Sequence, residues 1–186
     1  MSPLPIPLKR LTSEHNFLPF DCGDKDLNSF FVDDAIRYQN ELLAVTYYLE
    51  TKEETVLFFS LLNDKITAID TEKSFWRRLK GVFPYSKHRK DYPAVKIGRL
   101  GVNTKFQNSD LKFGTHILDY IKYWMIAENK TGCRFITVDA YRDAVNFYLK
   151  NGFMFMGRKE KVNYEKGKSD TIALYFDLMQ IKYENS

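Results

Sequence analysis

The sequence contains no long hydrophobic run, few cysteines and few histidines. No segment approaches the about 18 consecutive apolar residues of a membrane-spanning helix, and the N-terminal MSPLPIPLKRL has no apolar run long enough for a signal peptide. Cys22 and Cys133 lie far apart without metal-ligand spacing, which indicates two reduced thiols in a cytoplasmic protein. Because no segment is apolar and long enough to span a membrane, we expect no membrane partner. Because His15, His88 and His116 are scattered and no Cys/His cluster exists, we expect no metal site.

The chain also lacks internal repeats, low-complexity linkers and a strong excess of one charge. Its 186 residues suffice for one compact domain with a sizeable core but are too few for two domains of ordinary size. A single domain over residues 1–186 is therefore predicted. The apolar share of 44% favours a globular protein, and the aromatic share of 16% predicts a core rich in Phe and Tyr. A net charge of +4 permits an anionic ligand or an RNA partner without requiring either.

Hydrophobic periodicity predicts a mixed α/β order of elements. A short strand near Pro7–Leu11 precedes a helix capped by Asp24, and LLAVTYYLET and TVLFFSLL then form an antiparallel hairpin around the polar KEE turn. The later elements are a strand at 94–102, a long amphipathic helix ending near Gly132, a strand at 133–141, a short helix in RDAVNFYLKNG, a strand in FMFMG and a last strand at 171–181. The stripe expected to face the core of the long helix is Phe113, Ile117, Ile121, Trp124 and Met125, with Asp119 and Lys122 on other faces.

A basic insert at about residues 70–93 interrupts this order. It includes a short helix around Glu72–Leu79, and the rest is typical of a loop. Lys and Arg alternate there with Phe, Trp and Tyr. Two interpretations stay open: a solvated face of an exposed loop, or a surface for RNA phosphates and unstacked bases.

The stretch FQNSDLKFGTHIL, between Phe106 and Leu118, has the setting of a phosphate-binding turn. It follows a strand and leads into a long helix, whose N-terminus offers free N–H groups and a partial positive charge. The stretch holds one glycine, Gly114, where such turns usually have two or three. Asp110 adds a negative charge that Lys112 offsets.

The segments RLGVNTKFQ…FGTHIL and VDAYRDAVNFYLKNGF, in this order, resemble the acetyl-CoA core of the Gcn5-related N-acetyltransferases, the GNAT family. The match runs from about residue 94 to 155, and FDCGDKDLNSFF with the strands after it extends the likeness over most of the chain. These motifs are most similar to those of a bacterial branch of the family, which includes toxins that acetylate the aminoacyl end of charged tRNA. The resemblance implies the GNAT fold: a central, mixed, twisted sheet of about six to seven strands with helices on both faces.

The same resemblance implies that acetyl-CoA is the cosubstrate. Its pantetheine amides would pair with the backbone at the end of strand 94–102, where Gly101 is consistent with a β-bulge, and its pyrophosphate would lie on the glycine-poor loop. Counted back from Gly114, Ser109 stands at the Q/R position of the family motif Q/R-x-x-G-x-G/A and Lys112 at its first glycine. Alternatively, Gln107 is the motif glutamine and the loop is two residues longer. Asn146 is also a candidate, although it fits a helix-surface amide as well. The candidate cofactor-binding residues are Leu100, Gly101, Val102, Gln107, Asn108, Ser109, Lys112, Phe113, Gly114, Thr115 and Asn146.

Tyr148 is the candidate catalytic residue. In the family a tyrosine at this place lies near the cofactor sulfur, and a phenol with a pKa of about 10 can protonate a leaving thiolate; the alternative is a packed aromatic side chain. Strand 94–102 carries Lys96 and Arg99 and no carboxylate to act as a general base, which favours an acceptor amine of low pKa.

The function predicted on these grounds is transfer of the acetyl group of acetyl-CoA to a primary amine by direct attack in a ternary complex. Two alternatives stay open: a toxin-type acetyltransferase acting on aminoacyl-tRNA, with an antitoxin partner, and a non-catalytic module that binds CoA or RNA. The acceptor is therefore a small molecule, a protein amine or an aminoacyl-tRNA. Aromatic-rich strands at 41–62 and 171–181 are compatible with a homodimer.

Overall fold

The computed structural model describes residues 7–67, 73, 76–77, 91–107, 109–127, 129 and 131–184, and the side chains up to residue 181. Most of the basic insert lies outside the described residues, as does Asn108. Residues 73, 76 and 77 are helical, in agreement with the short helix predicted there.

The described residues form an α/β structure with a seven-stranded sheet. The strands are β1 Lys9–Arg10, β2 Val45–Glu50, β3 Thr55–Thr67, β4 Asp91–Val102, β5 Phe135–Tyr141, β6 Met154–Phe155 and β7 Thr171–Asp177. The helices are α1 Lys25–Ser29, a π-helical segment Phe30–Asp34, α2 Ala35–Asn40, a 3₁₀ turn Thr104–Phe106, α3 Phe113–Ala127, α4 Val145–Lys150, α5 Arg158–Glu165 and α6 Met179–Glu184.

The strand order is β1-β2-β3-β4-β5-β7-β6, which confirms the expected six to seven strands. The predicted hairpin is confirmed, since β2 and β3 pair antiparallel with Val45 opposite Leu61. The pairs β5–β7 and β6–β7 are also antiparallel, whereas α3 joins β4 to β5 as a crossover that typically connects parallel strands.

Several elements differ from their prediction. The last strand ends at Asp177 rather than 181, because the Asp177 carboxylate accepts the Met179 N–H at 3.0 Å and starts α6. The strand in FMFMG is only two residues long, and α5, which follows it, was not predicted. Five of the eight residues of α5 are charged, so it carries no clear apolar stripe. Lys122, expected on an outer face of α3, is buried and pairs with Asp119 at 3.0 Å.

The chain divides into two compact units. The first contains the residues up to Leu62 together with Ile97–Trp124. Its core combines the helix Lys25–Asn40 with one face of β2 and β3, where Phe31 stacks on Phe58 at 4.5 Å between ring centroids. Successive strand residues face opposite sides, so Tyr47 faces the other way and packs against Trp124 of α3 at 5.1 Å. Helices therefore cover both faces of this part of the sheet.

The first helix is not regular throughout. The Ala35 N–H donates to the Phe30 carbonyl, five residues back, which defines a π-helical turn between α1 and α2. Phe30, Phe31 and Ala35 are buried, whereas Tyr38 is 38% exposed. The π turn thus holds the aromatic pair toward the core.

The second unit contains Asn63–Lys96 together with the residues from Met125 onward. On one face of its strands Phe135 packs between Tyr92 and Tyr175, at 6.2 and 6.0 Å between ring centroids. The Arg134 guanidinium and the Asp177 carboxylate form a two-point ion pair at 2.7 and 2.9 Å, which ties β5 to the end of β7.

The longest helix of the described part of the chain, α3, has 15 residues. No described helix is long and apolar enough to cross a membrane.

Candidate functional site

The end of β4 is shaped by two glycines that receive side chains of β3. A Cβ on Gly98 would lie 2.6 Å from Leu62 Cδ2, and one on Gly101 would lie 2.8 Å from the Phe58 ring. Leu62 and Phe58 point to the same face of β3, whereas residues three apart on a regular strand point to opposite faces. The alternation therefore breaks between the two glycines, as it does at a β-bulge. The neighbouring candidates Leu100 and Val102 are half-buried.

Asn103 fixes the chain immediately after β4. Its side chain is 3% exposed, its amide nitrogen Nδ2 donates to the Thr55 carbonyl at 3.0 Å, and its backbone N–H donates to Val56 at 2.9 Å. Its Oδ1 accepts the Lys105 N–H at 3.1 Å and so starts the 3₁₀ turn. Asn103 therefore joins the strand end to β3 and directs the chain into the loop.

The two residues that compete for the motif position both hydrogen-bond to the backbone. Gln107 Nε2 donates to the Val102 carbonyl at 2.8 Å and to the Cys22 carbonyl at 2.9 Å. Ser109 Oγ donates to the Phe106 carbonyl at 2.9 Å. Both side chains shape the loop, so neither register of the motif is favoured by a side chain left free for a ligand.

Lys112 occupies the start of α3 in a left-handed conformation, with φ +43°. Its N–H donates to the Ser109 carbonyl at 3.0 Å, and its own carbonyl accepts the His116 N–H at 3.1 Å, which is the first bond of the helix. This backbone conformation favours glycine, and in the register counted back from Gly114 it occurs at the first glycine of the family motif. In that register the chain adopts a conformation that favours glycine with a lysine instead.

The first turn of α3 is arranged as an anion site would be. The N–H groups of Phe113, Gly114 and Thr115 have no acceptor within the helix, and the first turn holds no acidic residue. Lys112, immediately before it, has no side-chain acceptor that could cap these groups. Phe113 is buried and packs edge-on against Phe106 at 5.7 Å, which fixes the helix start. Asp110, the charge that opposed an anion site, is exposed.

Tyr148 lies on α4 and is 6% exposed. Its ring contacts Phe147 and Phe153 edge-on at 5.2 and 5.3 Å between centroids. Burial raises the pKa of its hydroxyl well above the ordinary value for tyrosine, so the side chain stays protonated at neutral pH. Asn146 is exposed on the same helix, as expected of a surface amide.

The cations of β4 have partners. Lys96 forms an ion pair with Asp139 of β5. Arg99 Nε lies 3.8 Å from the Asp26 carboxylate, and the guanidinium lies 5.1 Å above the Phe30 ring. The strand itself starts at Asp91, earlier than predicted, and this carboxylate is exposed and 3.4 Å from Lys65.

The sequence did not indicate the role of Arg142. Its guanidinium donates to the carbonyls of Tyr164, Asn163 and Ser169 at 2.6, 3.3 and 3.3 Å, and it lies 5.3 Å from the Tyr164 ring centroid. It thus holds the end of α5 and the turn after it. In the sequence, Arg142 is distinguished only by its position directly after a predicted strand, and many exposed residues occupy such positions.

Among the described residues, no group of three or more His, Cys, Asp and Glu side chains is placed to hold a metal ion.

Comparison with known proteins gives structural similarity alone, because no protein-family model and no curated sequence matches this chain. The structure of AtaT complexed with acetyl-methionyl-tRNAfMet aligns with a TM-score of 0.71 and 21% identity, over 97% of this chain and 99% of AtaT. A tyrosine-to-phenylalanine variant of KacT aligns with a TM-score of 0.73 and 18% identity, over 96% and 98% of the two chains. An AtaT variant bound to acetyl-CoA and the C-terminus of the antitoxin AtaR aligns with a TM-score of 0.64 and 17% identity, over 97% and 98%. The chain therefore has the fold of AtaT and KacT, which is the GNAT fold that its sequence predicts.

Proposed function

We propose that this protein is an acetyl-CoA-dependent N-acetyltransferase that acts on a primary amine by direct attack in a ternary complex. The observation that carries the proposal is the start of α3, where a left-handed Lys112 precedes three N–H groups without helical partners. This arrangement occurs in a fold shared with AtaT, a variant of which has been solved with acetyl-CoA.

Acetyl-CoA would supply an activated thioester, and the first unit of this chain has groups that fit its other parts. The N–H groups of Phe113, Gly114 and Thr115 would hold the pyrophosphate, with the Lys112 ammonium as a counter-charge. The backbone of Leu100–Val102, at the end of β4, would pair with the pantetheine amides.

Tyr148 would act on the leaving group. As the bond from the amine nitrogen to the acetyl carbon forms and the carbon–sulfur bond breaks, negative charge develops on sulfur. A hydroxyl whose pKa is raised by burial remains protonated and can donate its hydrogen to that sulfur. The attacking amine loses its proton to solvent and the Tyr148 phenolate takes one up from solvent, so that the hydroxyl is regenerated and the products are the amide and the free thiol of coenzyme A.

Two measurements test this proposal. Isothermal titration calorimetry with acetyl-CoA should show binding, and Tyr148→Phe should lower the turnover number about a hundredfold with little change in acetyl-CoA affinity. Tyr175→Phe is the matched control, since Tyr175 is also buried in the second unit but has no assigned role. No binding at millimolar acetyl-CoA would favour the non-catalytic module instead, and unchanged turnover would remove Tyr148 from the mechanism.

For the acceptor we propose aminoacyl-tRNA. AtaT has been solved with acetyl-methionyl-tRNAfMet, and residues 94–102 here offer no carboxylate as a general base. An aminoacyl α-amine needs less help than a lysine, because its pKa of about 8 leaves much of it neutral at physiological pH. Charged tRNA should therefore be acetylated in preference to lysine peptides and polyamines, as measured by transfer of labelled acetyl groups.

A cellular experiment tests the toxin proposal separately. Expression without an antitoxin should arrest growth, and Tyr148→Phe should relieve the arrest at equal protein level. Such a toxin would need a neutralising partner, as AtaT has been solved with AtaR. Normal growth with a folded protein that acetylates another amine in vitro would exclude the toxin role while leaving the acetyltransferase proposal intact.

A further inference from the structure

The FDCG motif, residues 20–23, forms a turn that has no part in the proposed chemistry. Gly23 has φ +84°, and its N–H donates to the Asp21 carboxylate at 2.8 Å. Asn28, one turn into the following helix, donates to the same carboxylate at 2.8 Å and accepts the Cys22 N–H at 2.9 Å. These bonds make residues 21–24 a rigid turn whose carbonyl groups have fixed directions.

Two carbonyls of this turn hold the loop that leads into α3. The Asp21 carbonyl accepts the Thr104 N–H at 2.8 Å, and the Cys22 carbonyl accepts a hydrogen from Gln107 Nε2 at 2.9 Å. Gln107 Nε2 also donates to Val102 at 2.8 Å. A carboxamide nitrogen has two hydrogens, so both donors of Gln107 are used. Its remaining Oε1 is an acceptor and cannot bind a phosphate oxygen.

We propose that Gln107 is a positioning residue that fixes the pyrophosphate loop against the 21–24 turn, and not a phosphate ligand. The inference rests on the proposed function in so far as this loop binds acetyl-CoA. The side chain of Gln107, in the loop that connects β4 to α3, hydrogen-bonds both to Val102 at the end of β4 and to Cys22 in the turn. The N–H groups at the start of α3 are therefore held in place before the cofactor arrives, which lowers the entropy lost on binding.

The experiment compares Gln107→Met, which keeps the length of the side chain and removes both donors, with Asn28→Ala, which loosens the turn. Gln39→Met is the matched control, because Gln39 Nε2 also donates to a backbone carbonyl, that of Leu11, at 2.8 Å. Hydrogen exchange of the amides at 107–116 and calorimetric titration with coenzyme A are measured on the full chain. Gln107→Met should speed exchange and raise the Kd about tenfold, with kcat little changed, and the control should do neither.

The double variant of Gln107 and Asn28 separates positioning from direct contact. If Gln107 acts through the turn, each single variant weakens binding and the double variant binds little worse than the weaker single one. Additive effects would identify Gln107 as a direct ligand and overturn the inference, and so would an unchanged Kd in both single variants. If the wild-type protein binds no coenzyme A, the proposed function fails, and exchange alone decides: unchanged exchange at 107–116 in Gln107→Met overturns the inference, whereas faster exchange supports it.

Discussion

At the scale of single residues, Lys112 adopts a left-handed backbone conformation in which glycine is the residue normally found. A left-handed conformation costs an L-residue about 1–2 kcal/mol, and part of this cost is offset because lysine restricts the unfolded chain more than glycine does. Lys112→Gly should therefore raise the free energy of unfolding by about 0.5 kcal/mol, as measured by urea unfolding.

Lys112→Ala is the control for this prediction. It removes the same charge and most of the side chain but keeps a Cβ, so the strain remains and no gain in stability is expected. A gain of equal size in the alanine variant would show that the charge, and not the backbone conformation, is responsible.

A second residue-scale feature is a buried polar pair near the N-terminus. His15 Nε2 and Glu50 Oε2 lie 3.9 Å apart, and both are buried without a hydrogen-bond partner. The other ring nitrogen lies 3.1 Å from the Tyr48 hydroxyl, while Lys9 pairs with Glu50 at 2.7 Å. Burial lowers the pKa of His15; Glu50 opposes this shift and Lys9 adds to it. His15 is therefore held neutral in the folded protein.

The stability should fall on acidification because of this residue. Below the unfolded pKa of about 6.5, the unfolded chain binds a proton that the folded chain does not, so the free energy of unfolding decreases as the pH drops below that value. Urea unfolding at several pH values between 7 and 5 measures this slope, and His15→Gln should reduce it. Equal slopes in the two proteins would show that other groups dominate the acid sensitivity.

At the scale of elements, the helix α5 depends on a residue far from it in sequence. The Arg142 guanidinium donates to three carbonyls at the end of α5 and in the turn after it, where a positive charge also interacts favourably with the helix dipole. Arg142→Ala should lower the free energy of unfolding by about 2 kcal/mol and speed hydrogen exchange in α5. Arg142→Lys should recover only part of this loss, because an ammonium cannot reproduce the planar set of donors.

The opposite result for Arg142 would also be informative. If Arg142→Ala changes global stability but not exchange in α5, the bonds to the carbonyls of α5 are not the source of its effect. Lys159→Ala is a suitable control, since that residue is exposed on α5 itself.

Elements with a strong pattern were predictable from the sequence, and elements fixed by distant contacts were not. The β2–β3 hairpin has β-branched and aromatic residues on both sides of a polar turn, and α3 has an apolar stripe over four turns, so both were predicted. By contrast, α5 is mostly charged and is held by Arg142. The π turn at Phe30–Asp34 inserts one extra residue into the helix, and hydrophobic periodicity does not encode such an insertion.

At the scale of the whole molecule, a ligand that binds only the folded state raises its stability by mass action. If the protein binds acetyl-CoA, a concentration a hundred times the Kd should stabilise it by about 2.7 kcal/mol and raise the melting temperature accordingly. Pantetheine, which lacks the pyrophosphate, should shift the melting temperature much less. Equal shifts by both compounds would show that the start of α3 contributes little.

The same scale shows how far sequence reasoning extends into the site. Residues 94–155 could be assigned from local motifs; in the structure α3 begins at Phe113 and Tyr148 is buried, and the roles of these residues stay predictions. The bond from Gln107 to Cys22 joins residues 85 apart, and no local pattern encodes such a contact. Conversely, the FDCG motif could be recognised in the sequence, but its hydrogen bonds to the loop are evident only in the structure.

The π turn in the first helix also bears on how this chain can vary by insertion and deletion. A π turn contains one residue more than the α-helix it replaces, and it absorbs that residue while α1 and α2 continue on either side of it. Deleting one of residues 32–34, which lie outside the buried core, should therefore restore a regular helix in which Ala35 still faces the core. Homologous chains are expected to differ by a single-residue gap at this place, whereas a gap elsewhere in the helix would rotate its buried face by about 100°.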